Sequence, residues 1–351
     1  MEIIGYLEQA VADGASDLFV VAGGPVSEKL DGHIQPIGQE RLLAPKTKEL
    51  IGQIYTLADR SMDAYLAQGD DDFAFAIPQL ARFRVNAYRQ RGSLAAVVRV
   101  VSFDIPDWQK IHIPQRIMDL AEKTHGMILM TGTAGSGKST TQACLIDRIN
   151  HTRDCHIITL EDPIEYLHRN QKSIVSQREI AVDTADYLSA LRACLRQAPD
   201  VILLGEMRDA ETIRTTITAA ETGHLVIATM HTRGAVNAID RIIDSFPASH
   251  QAQIRMMLSM VLQTVVSQQM VPDKNGDMVP AFEVMHVNSA IRSMIRDNKS
   301  HQINNVISAS NQEGMITMDQ SLLELYRDGR ISRETALNCA DNLEQMQRRL
   351  K

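Results

Sequence analysis

Residues 132–139, Gly132-Thr133-Ala134-Gly135-Ser136-Gly137-Lys138-Ser139, fit the pattern GxxxxGK[ST] and follow the short apolar run 127–130. An apolar strand that feeds a glycine-rich turn and then a helix leaves few folds open. The strand belongs inside a mostly parallel sheet, and the turn sits beyond its carboxyl end. The chemistry is equally constrained. Glycines let backbone N–H groups close around phosphate oxygens, Lys138 brings a point charge to the β and γ oxygens of a nucleoside triphosphate, and the Ser139 hydroxyl can ligate Mg²⁺. The helix expected to follow, with Thr140, Thr141, Ala143 and Leu145, adds the positive end of its dipole. Residues Gly132 to Thr140 are therefore the expected nucleotide-binding set. Motors, kinases, transporters and switches all use this loop, so the reaction has to be read from other residues.

The chain has 351 residues, enough for two domains with a substantial core. Acidic residues outnumber basic ones 43 to 36, and the formal charge of −7 gives no general attraction to nucleic acid or anionic lipid. No nucleic-acid partner is expected. Cys144, Cys155, Cys194 and Cys339 are scattered without a CxxC pair, which supports neither a zinc site nor a disulfide framework and fits a reducing cytoplasm. There is no basic-then-apolar leader and no run of about 18 apolar residues, so neither direct membrane insertion nor secretion is expected.

Residues 2–13 read as an amphipathic helix ended by Gly14. Strand-like segments follow at 17–21, 28–34 with its Asp31-Gly32 turn signal, 72–77 and 82–88, with one helix near 45–68 between them. A further β run at 95–101 precedes a proline-marked stretch. This organisation gives an N-terminal α+β domain over 1–102, a linker over 103–115, a P-loop domain over 116–289 and a helical C-terminal region over 290–351, with helices at 290–298, 318–327 and 333–349.

In the P-loop domain the alternation of short apolar runs and helices predicts a parallel sheet, with strands at 127–130, 156–160, 201–204 and 225–229. Each is followed by residues suited to the same chemistry. The phosphate loop follows the first, Asp162 and Glu165 the second, Glu206 the third and His231 the fourth. Ligands bind beyond the carboxyl ends of such strands, so these residues are expected to converge.

Glu206 closes Val201-Ile202-Leu203-Leu204-Gly205-Glu206, in which Gly205 stands where many ATPases have Asp. Glu206 is read as acting on metal-bound water, sharing the metal site with Ser139. In Glu161-Asp162-Pro163-Ile164-Glu165 the proline ends the strand, so a carboxylate on either side can face phosphates or simply cap the turn. His224 and His231 bracket one strand, and at ~3.3 Å per residue they stand roughly 20 Å apart if it is fully extended. His231, at the carboxyl end, is the better phosphate sensor, whereas His224 suits an interface or a structural bond. Arg82 and Arg84 share one strand face and suit either an arginine finger for a neighbour's triphosphate or a solvated basic face.

With these residues in place, the chain resembles the type IV pilus retraction ATPases, the PilT family of the secretion-motor superfamily. The likeness runs through Gly14-Ala15-Ser16-Asp17-Leu18, Ala81-Arg82-Phe83-Arg84-Val85-Asn86-Ala87, the phosphate loop, the acidic box at 161–165, Gly205-Glu206-Met207-Arg208-Asp209 and Ala220-Glu221-Thr222-Gly223-His224. Residues 290–297 resemble the family's retraction-associated motif, departing at Ser293, Met294 and Asp297. Residues 17–19 and 196–199 look more like the accessory paralogue group, PilU. The resemblance implies a RecA-like P-loop domain behind a PAS-like N-terminal domain, ATP and Mg²⁺ as cofactors, and a homo-hexamer driving pilus retraction and twitching motility. It implies Glu165 as general base, Glu206 as metal-side carboxylate, and His224 and His231 as a histidine box; Arg82 and Arg84 join the candidate catalytic residues on the strand-face reading above. It further implies a cytoplasmic ring held at the inner membrane by a pilus platform protein, and a paralogous pilus ATPase as a further partner. A PilU-like accessory retraction ATPase is the first competing reading, followed by a small-molecule P-loop kinase and a nucleic-acid translocase.

Overall fold

The structure is a computed structural model and describes residues 2–30, 32–101, 105–310 and 314–350. The chain divides into two compact units, one of residues 1–104 with 164–167 and one of residues 105–163 with 168–351. Residues 105–115 of the expected linker and the C-terminal helices thus group with the phosphate loop rather than standing apart. Residues 103 and 104 of that linker, and Asp31 of the expected turn, lie outside the described residues.

The first unit contains α1 (Ile3–Asp13), β1 (Asp17–Val20), β2 (Ser27–Leu30), β3 (His33–Pro36), α2 (Ala44–Leu57), α3 (Asp63–Gln68), β4 (Asp70–Ile77), β5 (Ala81–Gln90) and β6 (Ser93–Val101). Its strands, among the described residues, form one sheet in the order β3-β2-β1-β6-β5-β4, every pair antiparallel. Leu7, Leu50, Ile51, Ile54, Phe83, Val85 and Val98 fill its core. The helix expected over 45–68 is two helices. Asp59 takes a left-handed conformation (φ 49°), which an α-helix cannot propagate, so the chain breaks there and restarts at Asp63. The strand-like segment over 28–34, with its turn signal, is the hairpin β2–β3.

The second unit runs α4 (Gln115–Met118), β7 (Gly126–Thr131), α5 (Lys138–Thr152), β8 (His156–Glu161), β9 (Ile174–Glu179), α6 (Tyr187–Cys194), β10 (Val201–Leu204), α7 (Ala210–Glu221), β11 (Leu225–Met230), α8 (Ala235–Asp244), α9 (Ala248–Val261), β12 (Leu262–Pro272), β13 (Met278–His286), α10 (Ser289–Arg296), α11 (Ile303–Ala309), α12 (Met318–Arg327), α13 (Arg333–Cys339) and α14 (Leu343–Arg349). The sheet order is β13-β12-β7-β11-β10-β8-β9, parallel except for β13.

Its central strands β7, β8, β10 and β11 are largely apolar because alternate side chains feed two separate cores. Met127, Leu129, Ile158, Leu160, Ile202 and Leu204 pack on the face covered by α6, α7, α8 and α9. Ile128, Met130, Ile157, Val201 and Leu203 pack on the face covered by α4 and α5. At roughly 1.5–3 kcal/mol for each fully buried aliphatic side chain, this double burial fixes the sheet register. That register levels the carboxyl ends: Leu204 pairs with Leu160 and Ala228, and Met230 with Thr131. Residues that follow these strands emerge along one edge.

At the C-terminus the helix expected over 333–349 is broken. The Asp319 carboxylate accepts from Asp341 N at 2.7 Å and Asn342 N at 3.1 Å, and Asn342 then caps α14 by accepting from Gln345 N at 3.0 Å. Backbone donors that would have continued α13 are captured from outside it.

Candidate active site

The phosphate loop joins β7 to α5, and its shape depends on glycine at two points. Gly132 has φ 146° and Gly137 has φ 84°. An added Cβ at Gly132 collides with Gln268 O and Ser136 Oγ, and one at Gly137 falls 2.8 Å from Gln268 Nε2. Only glycine lets the backbone curl this tightly against β12. Lys138 opens α5, is 7% exposed, and donates from Nζ to Gly132 O and Thr133 O, both at 2.8 Å. Its charge therefore lies inside the curve of the loop. Ser136 Oγ is buried there without a hydrogen-bond partner. Ser139 lies in the first turn of α5.

Cavities flank the loop. Gly137, Thr140 and Thr141 line one of about 640 Å³, together with Lys110, Gln268 and Arg330. Thr133, Ala134, Gly135 and Ser136 line another of about 380 Å³, facing Arg233 and Asp341. Pre-curved N–H groups, a buried lysine, an unpaired hydroxyl and adjoining space suit a nucleotide phosphate chain.

Glu206 follows β10. Its neighbours are pinned on both sides: Gly205 N donates to Leu160 O at 2.8 Å, and Met207 N donates to Thr229 O at 3.1 Å. The next helix secures the same segment, since the Asp209 carboxylate caps α7 by accepting from Glu211 N at 3.0 Å and Thr212 N at 2.9 Å. Burial pushes the Asp209 carboxyl up, but these bonds outweigh it and hold the group below the usual carboxylate range. Between these anchors Glu206 is clasped by Arg208 through Oε1 and faces His231 Nε2 at 3.3 Å through Oε2. Arg208 also lies 3.9 Å from Asp162, which follows β8. Glu161 is held by Thr159 Oγ1 at 2.6 Å and Gln177 Nε2 at 3.2 Å.

The structure thus gathers the phosphate loop, Asp162, Glu206 and His231 on one edge of the second unit. Glu165 lies in the segment Ile164–Leu167, which groups with the first unit, as do Arg82 and Arg84 on β5. Arg84 pairs with Asp72 across the sheet, at 2.9 Å and 3.3 Å. His224 lies apart from this edge. It precedes β11, at the end away from the loop, and its Nδ1 lies 2.9 Å from Ala219 O and 3.1 Å from Thr222 Oγ1, finishing α7.

Several site residues carry no sequence signal of their own. Arg208 sits inside a quoted motif, but nothing in its spacing marks it as the partner of Glu206. Gln268, whose Oε1 accepts from Thr141 Oγ1 at 2.9 Å, is 127 residues away along the chain. Arg233 and Tyr187 become site residues only through the sheet order. A side chain at position 205 has no room, because an added Cβ stands 2.7 Å from Tyr187 Oη and 3.1 Å from Leu160 O.

A sequence profile for type II/IV secretion system proteins matches residues 3–335. The chain belongs to that family. Among the members similar to it, the twitching motility protein of Neisseria gonorrhoeae is 44% identical over 307 residues, which is 87% of this chain and 82% of that protein. The type IV pilus retraction ATPase PilT of Pseudomonas aeruginosa is 41% identical over 336 residues, 96% of this chain and 97% of that one. A crystal structure of the pilus retraction motor PilT with bound ADP superposes with a TM-score of 0.89 at 41% identity, covering 99% of both chains. This secretion-family chain therefore shares the mixed α/β architecture of that motor over its whole length.

Proposed function

We propose that this chain is an ATP-hydrolysing motor subunit that drives type IV pilus retraction. The observation that carries the proposal is the single edge on which a phosphate-shaped loop, Glu206 and His231 meet, in a chain alike over its full length to a retraction motor. ATP and Mg²⁺ are its cofactors in this reading. Backbone N–H groups from Thr133 to Ser139 and Lys138 Nζ bind the phosphates, with Lys138 turning from the loop carbonyls to phosphate oxygens. Ser139 and Glu206 would hold Mg²⁺, which would supply charge neutralisation at the transferred phosphate. Glu165 takes the proton of the attacking water as general base. His231, tied to Glu206, reports whether the γ-phosphate is present.

The assembly proposed is a homo-hexamer in which Arg82 and Arg84 of one subunit serve the nucleotide of the next, docked at the cytoplasmic face of the inner membrane on a pilus platform protein. A paralogous pilus ATPase is a further partner. Among the described residues no helix is long and apolar enough to cross a membrane, which is compatible with such docking. In this reading the first unit presents the arginines and the second unit holds the nucleotide.

Deleting the gene in its host and counting surface pili tests the proposal. Accumulated, non-retracting pili support it. Unchanged piliation and twitching in a strain that retracts its pili contradicts it.

A further inference from the structure

Val265 and Met285 point from β12 and β13 into the core beneath α8, and Val266 and Val284 point from the same strands into the opposite core. Ser267 and Glu283 pair across these two strands, share the α8 face with Val265 and Met285, and are both buried. Buried polar groups are costly unless they are hydrogen-bonded, so their partners matter. Gly234 N donates to Ser267 Oγ at 3.0 Å, and Ala235 N donates to Glu283 Oε1 at 2.7 Å. Both donors belong to the loop that leaves β11 for α8.

These bonds replace a missing cap. Helix α8 starts at Gly234, which has φ 80° and no side chain to accept from the N–H groups of the helix start, so the sheet supplies the acceptors instead. The other end of the loop is fixed as well, since Met230 pairs with Thr131 inside the sheet. Only His231, Thr232 and Arg233 lie between the end of β11 and Gly234. A span of three residues tied at both ends leaves His231 little freedom, and its Nε2 stands 3.3 Å from Glu206 Oε2.

We infer that Glu283, with Ser267 beside it, is a positioning residue for hydrolysis: by holding the backbone at Gly234 and Ala235 it keeps His231 against Glu206. Glu283 works through a backbone amide, and what it contributes there is an acceptor rather than a charge. Burial raises its carboxyl above the usual carboxylate range, against the opposing bond from Ala235, so a neutral amide is a close stand-in. The inference rests on the ATP-hydrolysis reading above and adds to it two residues on β12 and β13.

Glu283→Met removes the acceptor and keeps the length of the side chain. The expected result is a fall in kcat of roughly fivefold or more, the scale of one buried donor left unpaired, with KM for ATP and the affinity for a fluorescent ADP analogue close to wild type. Glu283→Gln retains an acceptor and should recover most of that kcat. In a His231→Ala background Glu283→Met should cost no further kcat, because the group it positions is gone. Ser267→Ala removes only the neighbouring acceptor and should repeat the pattern on a smaller scale, so it decides the matter if Glu283→Met does not fold. Wild-type kcat in both, an equal fall with and without His231, a matching loss of ADP affinity, or a fall in Glu283→Gln as large as in Glu283→Met overturns the inference while leaving hydrolysis intact. If the wild-type chain releases no phosphate from ATP, the hydrolysis reading fails first and takes this inference with it.

Discussion

His231 Nε2 stands 3.3 Å from Glu206 Oε2, joining the ends of the neighbouring parallel strands β10 and β11 beside the phosphate loop. The pair exists because the sheet register is set elsewhere, by aliphatic side chains buried on both faces. Two polar groups that follow different strands are thereby brought to one place, and Arg208 occupies the other oxygen of Glu206.

Glu206→Gln keeps the shape of the side chain and removes the charge that Arg208 and His231 share. We expect nucleotide binding to persist and turnover to fall by about 100-fold or more, the scale for losing a positioned acid–base group. Glu165→Gln is expected to behave alike, for loss of the base. Fluorescent-nucleotide titration beside steady-state phosphate release checks both, and wild-type turnover in either variant removes that residue from the mechanism.

The histidines separate cleanly. His231→Ala should lower kcat about tenfold or more, since it removes the link between Glu206 and the end of β11. His224→Ala loses bonds at the end of α7 and should cost stability of roughly 1 kcal/mol with kcat nearly unchanged. Thermal melts and kinetics on the same preparations distinguish them, and equal kinetic damage from both would return His224 to the active site.

Burial lowers the His168 imidazole to a pKa of about 4, and its Nδ1 has no hydrogen-bond partner. In the unfolded chain the ring protonates near its ordinary value of about 6.5, so the unfolded state binds more protons between pH 6.5 and 4. Stability contributed by this group is complete above pH 6.5 and is lost as the pH falls towards 4, with a ceiling of about 3 kcal/mol. Denaturant unfolding at pH 7.5 and pH 5 should show wild type losing more stability than His168→Gln. Equal losses would mean that the ring is hydrated in the folded protein.

Much of this site is legible in the sequence, for a physical reason. The phosphate loop, Glu206 and His231 each follow an apolar run, and apolar runs are what parallel strands require. β9 was not foreseen because Ile174-Val175-Ser176-Gln177-Arg178-Glu179 lies at the sheet edge with a mostly polar composition. β12 was hidden because α9 passes into it at Leu262 without a polar or glycine break. Missing β12 also concealed Gln268, whose contact with the loop depends on that strand lying beside β7. Tyr187 over Gly205 was invisible for a similar reason, since it needs the direction in which α6 presents its first turn.

The most direct measurement is phosphate release from ATP and Mg²⁺ by the purified chain, compared with Lys138→Ala. The loop's curve is set mainly by glycines, with Lys138 Nζ bonding two of its carbonyls, and in the proposed reaction Lys138 acts on the charge of the transferred phosphate. The account predicts hydrolysis by the wild type, its loss in Lys138→Ala, and an unchanged thermal midpoint. Turnover near wild type in a folded Lys138→Ala protein would contradict it.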